Sequence, residues 1–275
     1  MRKVQLSNTG ETIPVLGQGT WGIKTRGNKT LYERWKQSLR RGIELGMTHI
    51  DTAEIYGAGT SERIVGEVIA EYKRDDLFIV SKLFPRHVGI KAMKNACDKS
   101  LKRLGIKYLD LYLVHFPSFI TPKIEKHMRI MEELLNEGKT RYIGVSNYSV
   151  EQFKKGQQVL KKAELVTNQL QASITKQKHI HDSLPFYQKE GVTVTAYSPL
   201  GHRGYKNLTG EIRSTLDQLM KTHDATIQQI AIAWLINHKN VITIPKASQI
   251  KHLEANAKAA KIEISQEELS LLYNV

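Results

Sequence analysis

The sequence predicts a (β/α)8 (TIM) barrel preceded by an N-terminal β-hairpin, and three observations carry this prediction. The chain has 275 residues, close to the roughly 250 that such a barrel needs. Short apolar segments alternate along it with amphipathic ones, the pattern of a parallel sheet whose strands are joined by helices. Early apolar segments end at Asp51, Lys82, His115 and Asn147, about 30 residues apart, which is the length of a βα unit.

The hairpin and the strands follow from local composition. Residues 4–6 and 12–14 flank an Asn-Thr-Gly turn signal at 8–10, which predicts the hairpin. Several later strands are continuous apolar runs, as expected of strands that are buried on both faces. We predict eight barrel strands at residues 14–20, 47–51, 77–82, 109–115, 142–147, 165–169, 192–198 and 241–244.

The helices are marked by amphipathic spacing and by the glycines that follow several of them. Gly46, Gly105 and Gly138 stand where a helix C-terminus commonly needs left-handed backbone. Thr60 or Ser61 is the predicted N-cap of the second helix. We predict helices at residues 31–45, 61–73, 90–104, 124–136, from 150, at 179–189, one or two ending at 237, one from about 250, and 266–273.

Eight such units in one chain favour a closed barrel over an open doubly wound sheet. No G-x-G-x-x-G stands between a predicted strand and a predicted helix, which argues against a Rossmann dinucleotide site. The sequence has no low-complexity segment or linker-like stretch. We therefore expect a single barrel domain over residues 1–275.

Composition narrows the class of partner. The formal net charge of +14 favours an anionic ligand. Lys and Arg are spread over predicted helix faces instead of being clustered between aromatics, so we expect no nucleic-acid partner. Cys97 is the only cysteine and cannot form an internal disulfide. The N-terminus lacks the apolar core of a signal peptide and no segment has membrane-spanning length, so we expect a soluble cytoplasmic protein without a membrane partner.

Polar side chains at the ends of three consecutive predicted strands suggest a reaction site. In a barrel the strand ends meet at one mouth, so Asp51, Tyr56, Lys82 and His115 should be neighbours. A buried Lys82 ammonium is expected to lower the pKa of Tyr56 and make it a competent proton donor. Asp51 would keep Lys82 charged, and His115 would hydrogen-bond a substrate oxygen. Hydride from a nicotinamide would supply the nucleophile that such an acid needs.

Each of these groups taken singly also fits a structural role, such as a buried ion pair or a core histidine. The four complementary groups at one mouth favour catalysis. No Ser-His-Asp or Cys-His pair and no cluster of metal ligands is evident, so we expect no metal.

The chain resembles the aldo-keto reductase family in motifs that follow one another along nearly its whole length. The motifs are DTAEIYG at 51–57, Lys82, LVH at 113–115, GVSN at 144–147, NQ at 168–169, AYSPLG at 196–201 and IPK at 244–246. This resemblance implies an NAD(P)H-dependent carbonyl reductase acting on a small carbonyl substrate. It implies Tyr56 as general acid, with Asp51, Lys82 and His115 completing a catalytic tetrad, and a monomeric state.

The resemblance also implies which positions contact cofactor and substrate. Ser146, Asn147 and Gln169 match the contacts to the nicotinamide carboxamide, and Tyr197 matches the ring that stacks on the nicotinamide. The remaining implied cofactor positions are Gly19, Thr20, Trp21 and Asp51 near the first strands, Ser198 and Leu200 with the loop after them, and Lys246, Ala247, Ser248, His252 and Asn256 after the last strand. The implied substrate positions are Trp21, Ile55, Tyr56, Phe84, His115 and Phe116.

Two departures from the family pattern bear on cofactor and substrate choice. Ala247 and His252 stand where NADPH-specific members usually carry Ser and Arg. Lys246 and Ser248 can still meet a 2′-phosphate, but the fork of a guanidinium is missing. We therefore expect NADP(H) to be favoured less strongly than usual, with NAD(H) as a second cofactor. The chain ends soon after its last helix, so we expect an open pocket with a broad substrate range.

Other functional classes remain as alternatives. One is a regulatory or redox-sensing subunit that uses the same barrel to bind NADP(H) with little turnover. Another is a phosphate-binding barrel isomerase or lyase, which needs a different acid–base pair and leaves Asn147 and Tyr197 unexplained.

Overall fold

A two-stranded hairpin opens the chain and closes one end of the barrel. The structure, a computed structural model, describes residues 1–23, 27–87, 89–118, 123–201, 204–205 and 208–273. Strand β1 (Lys3–Gln5) pairs antiparallel with β2 (Thr12–Pro14), which confirms the predicted hairpin. Leu6 and Ile13 are fully buried and pack on the inward side chains of the barrel strands. The hairpin is therefore held by the apolar interior of the barrel.

Eight parallel strands form the barrel, each paired with its neighbour in chain order. The ends of the row also meet, because Leu16 pairs with Thr243 and the Gly17 N–H donates to the Thr243 carbonyl at 2.9 Å. The predicted (β/α)8 fold is thus confirmed. The strands are β3 (Gln18–Gly19), β4 (His49–Asp51), β5 (Phe78–Leu83), β6 (Leu109–Val114), β7 (Thr140–Ser146), β8 (Leu165–Gln171), β9 (Thr193–Tyr197) and β10 (Val241–Thr243).

Helices on the outer face cover the strands that they follow. In the described ranges they are α1 (Lys29–Glu44), α2 (Thr60–Ile69), α3 (Ile90–Leu104), α4 (Ile124–Asn136), α5 (Val150–Val159), α6 (Lys178–Asp182), α7 (Leu184–Lys189), α8 (Gly210–Thr222), α9 (Ile227–Ile236), α10 (Ile250–Ala259) and α11 (Gln266–Leu271). Cys97 lies fully buried on α3, and burial raises the pKa of its thiol to about 12, so it packs as an apolar residue.

Several helix predictions differ from the structure. The second helix, predicted over 61–73, ends at Ile69. The predicted helix over 179–189 is divided at Ser183, because Pro185 lacks the N–H that a continuous helix would bond to the preceding turn. The predicted N-cap of α2 is wrong: Gly59 occupies that position, and Thr60 and Ser61 already lie within the helix. Within the described residues, none of the helices combines the length and the apolarity needed to cross a bilayer.

Candidate active site

The carboxyl ends of the barrel strands surround a cavity of about 270 Å³. Most residues that line it are predicted site residues, drawn from β3, β4, β7, β8, β9 and the loops that follow the strands. They are Gly19, Trp21, Asp51, Tyr56, His115, Phe116, Ser146, Asn147, Gln169, Tyr197, Ser198, Ile244 and Lys246. Ile244 is the one that sequence reasoning missed, although its place directly after the last strand was a usable signal.

The four predicted catalytic residues converge in one wall of this cavity. The Lys82 Nζ donates to Asp51 Oδ1 at 2.5 Å, to the Thr52 carbonyl at 2.8 Å and to the Tyr56 hydroxyl oxygen at 3.3 Å. The His115 ring lies edge-on to the Tyr56 ring, with centroids 5.6 Å apart. An ammonium can only donate hydrogen bonds, so the Tyr56 oxygen is the acceptor in this contact. The phenolic O–H of Tyr56 therefore points away from Lys82.

The pKa of Lys82 is raised although its side chain is fully buried. Burial opposes the charge of the ammonium, but the attraction of Asp51 and Tyr56 outweighs it. Gln169 holds the other oxygen of the carboxylate, donating to Asp51 Oδ2 at 2.7 Å. The ammonium–carboxylate pair is therefore completed by hydrogen bonds, as a buried ion pair requires.

The expected lowering of the Tyr56 pKa is wrong as a net effect. Burial raises the pKa of Tyr56, and this contribution exceeds the lowering by the nearby Lys82 ammonium. The phenol is thus protonated at neutral pH. Burial together with the charge of Lys82 lowers the pKa of His115 to about 3, so this imidazole is neutral.

A second cluster, of amides and hydroxyls, adjoins the tetrad in the lining of the cavity. Asn147 donates to the His115 carbonyl at 3.1 Å and to Ser146 Oγ at 3.0 Å, and its Oδ1 accepts from the Tyr197 hydroxyl at 2.8 Å. Asn147 and Ser198 have left-handed backbone, with φ of 62° and 53°. This conformation strains the backbone of a non-glycine residue, and here it aims the two side chains at the cavity that they line.

The mouth of the cavity combines exposed aromatic rings with one cationic side chain. Trp21 and Phe116 are exposed at 58% and 37%, and Phe116 stacks on His115 with centroids 4.4 Å apart. The Lys246 ammonium lies over the Trp21 ring, 5.7 Å from its centroid. An entering molecule therefore meets two aromatic rings and one positive charge.

Nine predicted site positions do not line the cavity. One is Lys82, which is fully buried behind Tyr56. Thr20 is buried beneath it, and its hydroxyl donates to the Asp51 carbonyl at 2.8 Å. Exposed Ile55 and half-buried Phe84 lie beside the cavity, where the Phe84 N–H donates to Glu54 at 2.6 Å. The other five are Leu200, which packs on the core, Ala247 and Ser248, which precede α10, and His252 and Asn256, which lie on α10. The loop predicted after Leu200 includes residues 202–203 and 206–207, which lie outside the described residues.

Among the described residues, no group of three or more His, Cys, Asp or Glu side chains is arranged to hold a metal ion. The groups that the site brings together are a phenol, an ammonium, a carboxylate, a neutral imidazole and a set of amides.

Comparison with known proteins identifies the family. A family model for the aldo/keto reductase family matches residues 15–275. Methylglyoxal reductase of Escherichia coli is 35% identical over 273 residues, which cover 99% of this chain and 94% of that protein. Glyoxal reductase of Bacillus subtilis is 32% identical over 97% of this chain and 90% of its own length.

Solved structures agree with this assignment. A thermostable aldo-keto reductase in complex with the inhibitor epalrestat superposes with a TM-score of 0.90, at 39% identity over 99% of this chain and 98% of its own. An aldo-keto reductase from Klebsiella pneumoniae in complex with NADPH superposes with a TM-score of 0.85, at 35% identity over 99% of this chain and 94% of its own. By sequence and by fold, this protein belongs to the aldo-keto reductase family of oxidoreductases.

Proposed function

We propose that this protein reduces small aldehydes or ketones to alcohols, using NADP(H) as the preferred hydride donor. The observation that carries the proposal is the Tyr56 hydroxyl, which lies on the cavity wall and accepts a hydrogen bond from the buried Lys82. The relatives support the same chemistry. Two of them are named for the reduction of methylglyoxal and glyoxal, and a similar enzyme was solved with NADPH.

The side chains around the cavity fit a nicotinamide cofactor. A carboxamide needs both donors and acceptors, and Ser146, Asn147 and Gln169 offer both at the base of the cavity. Gln169 uses its Nε2 on Asp51, and its Oε1 has no partner within the described part of the chain, so it is available to an amide N–H. The Tyr197 ring, fixed through its hydroxyl to Asn147, offers an aromatic surface for the pyridine ring.

The protein's own groups then have separate tasks. A reduced nicotinamide, when bound, would supply the hydride that the carbonyl carbon needs. Tyr56 donates its proton to the carbonyl oxygen as negative charge develops there, which is general acid catalysis. Lys82 stabilises the phenolate that remains, and Asp51 holds Lys82 in place. Neutral His115 donates a hydrogen bond to the substrate oxygen and orients it.

The mouth of the cavity supports a small substrate with an apolar side. The cavity volume of about 270 Å³ accommodates a compact molecule, and Trp21 and Phe116 give it aromatic contacts. Phe84 and Ile55 would widen this apolar surface for longer substrates. Short aldehydes and dicarbonyls are therefore the substrates that we expect to be turned over best.

Cofactor preference is assigned to the segment after β10. Lys246 is exposed and has no ion-pair partner among the described residues, so its charge is available to a 2′-phosphate. Ala247 and His252 provide no guanidinium fork there, and Asn256 is proposed to contact the adenine. We therefore propose a preference for NADP(H) with measurable use of NAD(H).

A fluorescence titration with NADPH and NADH, followed by turnover of a panel of aldehydes, ketones and quinones, tests this function. We expect binding of both cofactors, tighter for NADPH, and oxidation of the cofactor in the presence of short aldehydes. Binding without turnover of any carbonyl would refute the reductase and indicate the redox-sensing alternative.

A further inference from the structure

Three buried hydroxyls form a chain behind the catalytic wall. Thr52 and Ser61 are joined at 2.8 Å, Ser61 donates to Thr20 at 2.7 Å, and Thr20 donates to the Asp51 carbonyl at 2.8 Å. Each hydroxyl has one proton, so Thr52 must donate to Ser61 and the whole chain has one direction. All three side chains are fully buried. This chain of hydroxyls begins at Thr52, the residue after Asp51, and ends at the Asp51 carbonyl.

The hydroxyl chain fixes the backbone of Asp51 and Thr52, the two residues that hold the Lys82 ammonium. The Lys82 ammonium has three N–H groups, and it donates hydrogen bonds to Asp51 Oδ1, the Thr52 carbonyl and the Tyr56 oxygen. Two of these acceptors belong to the residues that the hydroxyl chain ties together. A shift of Asp51 or Thr52 would therefore move Lys82 relative to Tyr56, whose contact at 3.3 Å is the longest of the three.

The loop that carries Tyr56 needs such an anchor. Gly57, Ala58 and Gly59 follow it with φ of 57°, 52° and 82°, an irregular path that contains a non-glycine residue in left-handed backbone. The chain regains regular structure only at α2, where Ser61 lies in the first turn.

The neighbouring residue of α2 provides a second anchor on the other side. Glu62 is fully buried and accepts from Ser81 Oγ at 2.6 Å, and Ser81 directly precedes Lys82 on β5. The first turn of α2 is therefore hydrogen-bonded to the strand ends that carry Asp51 and Lys82.

We propose that Thr20, Thr52 and Ser61 are positioning residues, which set the contact between Lys82 and the Tyr56 hydroxyl and thereby the rate of proton donation. This proposal rests on the proposed carbonyl reductase activity. None of the three hydroxyls needs to touch substrate, because the chain acts through Asp51 and Lys82. Its loss should lower the rate of the chemical step without weakening the binding of cofactor or substrate.

The test compares Thr52→Val with Thr140→Val. Both threonines are buried, and the Thr140 hydroxyl donates to the Tyr142 carbonyl at 2.7 Å at the start of β7, away from the site. For Thr52→Val we expect kcat to fall about tenfold or more, with KM and the cofactor Kd within about twofold of wild type. Thr52→Ser, which keeps the hydroxyl, should recover most of the rate, and Thr140→Val should leave kcat unchanged.

The pH profile separates positioning from a general loss of stability. Tyr56 faces the charges of Lys82 and Asp51, the neutral His115 and the Tyr197 phenol. A looser contact with Lys82 weakens the stabilisation of the phenolate, so the alkaline limb of kcat should move to higher pH in Thr52→Val but not in Thr140→Val. Ser61→Ala should reproduce the effect, and combining it with Thr52→Val should add little, because both break one chain.

Equal losses of kcat in Thr52→Val and Thr140→Val, or an unmoved alkaline limb, would overturn the proposal. Failure of Thr52→Ser to recover the rate would do the same. If Thr52→Val does not fold, Ser61→Ala carries the identical comparison, with rates referred to the fraction of protein that binds cofactor. A wild-type protein without carbonyl reduction would instead refute the proposed function itself.

Discussion

At the scale of single residues, Tyr56 keeps its proton because burial raises its pKa by more than the Lys82 ammonium lowers it. A phenol that stays protonated at neutral pH is the form that a general acid needs. Burial raises its pKa, whereas Lys82 opposes this rise and becomes most effective as the proton leaves. The sequence places Lys82 beside Tyr56 but carries no measure of how deeply the phenol is buried, which explains why the expected direction was wrong.

The neutral state of His115 predicts the shape of the pH profile. Its pKa of about 3 lies below the working range, so the imidazole does not change charge between pH 5 and 8. We expect kcat/KM to show no limb near pH 6.5 that depends on this residue. Replacing His115 by Asn should lower the rate and leave the shape of the profile in that range unchanged. An acidic limb that disappears in His115→Asn would contradict a neutral imidazole.

Replacement of His252 is expected to change the preference between NADPH and NADH. This residue is exposed in the first turn of α10, at the position where the resemblance implies an Arg in NADPH-specific members. His252→Arg should shift the ratio of kcat/KM toward NADPH over NADH by about tenfold, since a guanidinium pairs with a phosphate through two hydrogen bonds. Lys258→Arg, also exposed on α10, should leave the ratio unchanged. An unaltered ratio in His252→Arg would show that residue 252 lies away from the 2′-phosphate.

At the scale of secondary-structure elements, the sequence predicts the order and type well and the ends less well. Helix α3 ends at Gly105 as expected, with φ of 68°. The start of α2 was missed because the Ser61 hydroxyl bonds to Thr52 and Thr20, which directly follow β4 and β3, instead of capping its own helix. Tertiary partners of this kind cannot be derived from local spacing.

The absence of a side chain at Gly66 allows α2 to pack closely against the C-terminal end of α3. A Cβ at Gly66 would lie 2.7 Å from the Arg103 carbonyl and 2.8 Å from the Leu104 carbonyl, backbone atoms that cannot easily move. Gly66→Ala should therefore lower the free energy of unfolding by roughly 1–3 kcal/mol in denaturant titrations. The helical Gly156 is the control, because its nearest neighbour is the flexible Met128 side chain at 3.3 Å. Gly156→Ala should cost less or stabilise the protein.

At the scale of the whole molecule, barrel topology is what made the site predictable. Asp51, Lys82 and His115 are separated in sequence but end adjacent parallel strands, so the fold alone brings them together. The boundary of the cavity was less predictable. Ile244 lines it while Phe84 does not, and this depends on side-chain direction and on the Glu54 contact that holds the loop after β5.

Buried neutral histidines predict that the whole molecule loses stability in mild acid. His127 is fully buried, and burial lowers its pKa to about 4, whereas the unfolded value is about 6.5. The unfolded chain therefore binds more protons below pH 6.5, and stability is lost as the pH falls from there toward 4. Between pH 7 and 5 this one group should cost about 2 kcal/mol of unfolding free energy.

Denaturant titrations of His127→Leu at pH 7 and pH 5 measure this contribution. The variant should lose about 2 kcal/mol less than wild type over that interval. Met128→Leu, a buried change on the same helix without an ionisable group, should keep the wild-type difference. The same pH sensitivity in His127→Leu as in wild type would mean that this imidazole is not kept neutral by folding.

The most direct measurement is carbonyl reduction by Tyr56→Phe alongside its affinity for NADPH. If the phenol is the proton donor, kcat should fall by about 1,000-fold while the cofactor Kd stays within about twofold of wild type. The Phe ring keeps the packing against His115 and removes only the hydroxyl that Lys82 contacts. Turnover within tenfold of wild type would contradict the assignment of Tyr56 as the acid and, with it, the catalytic role of the four converging side chains.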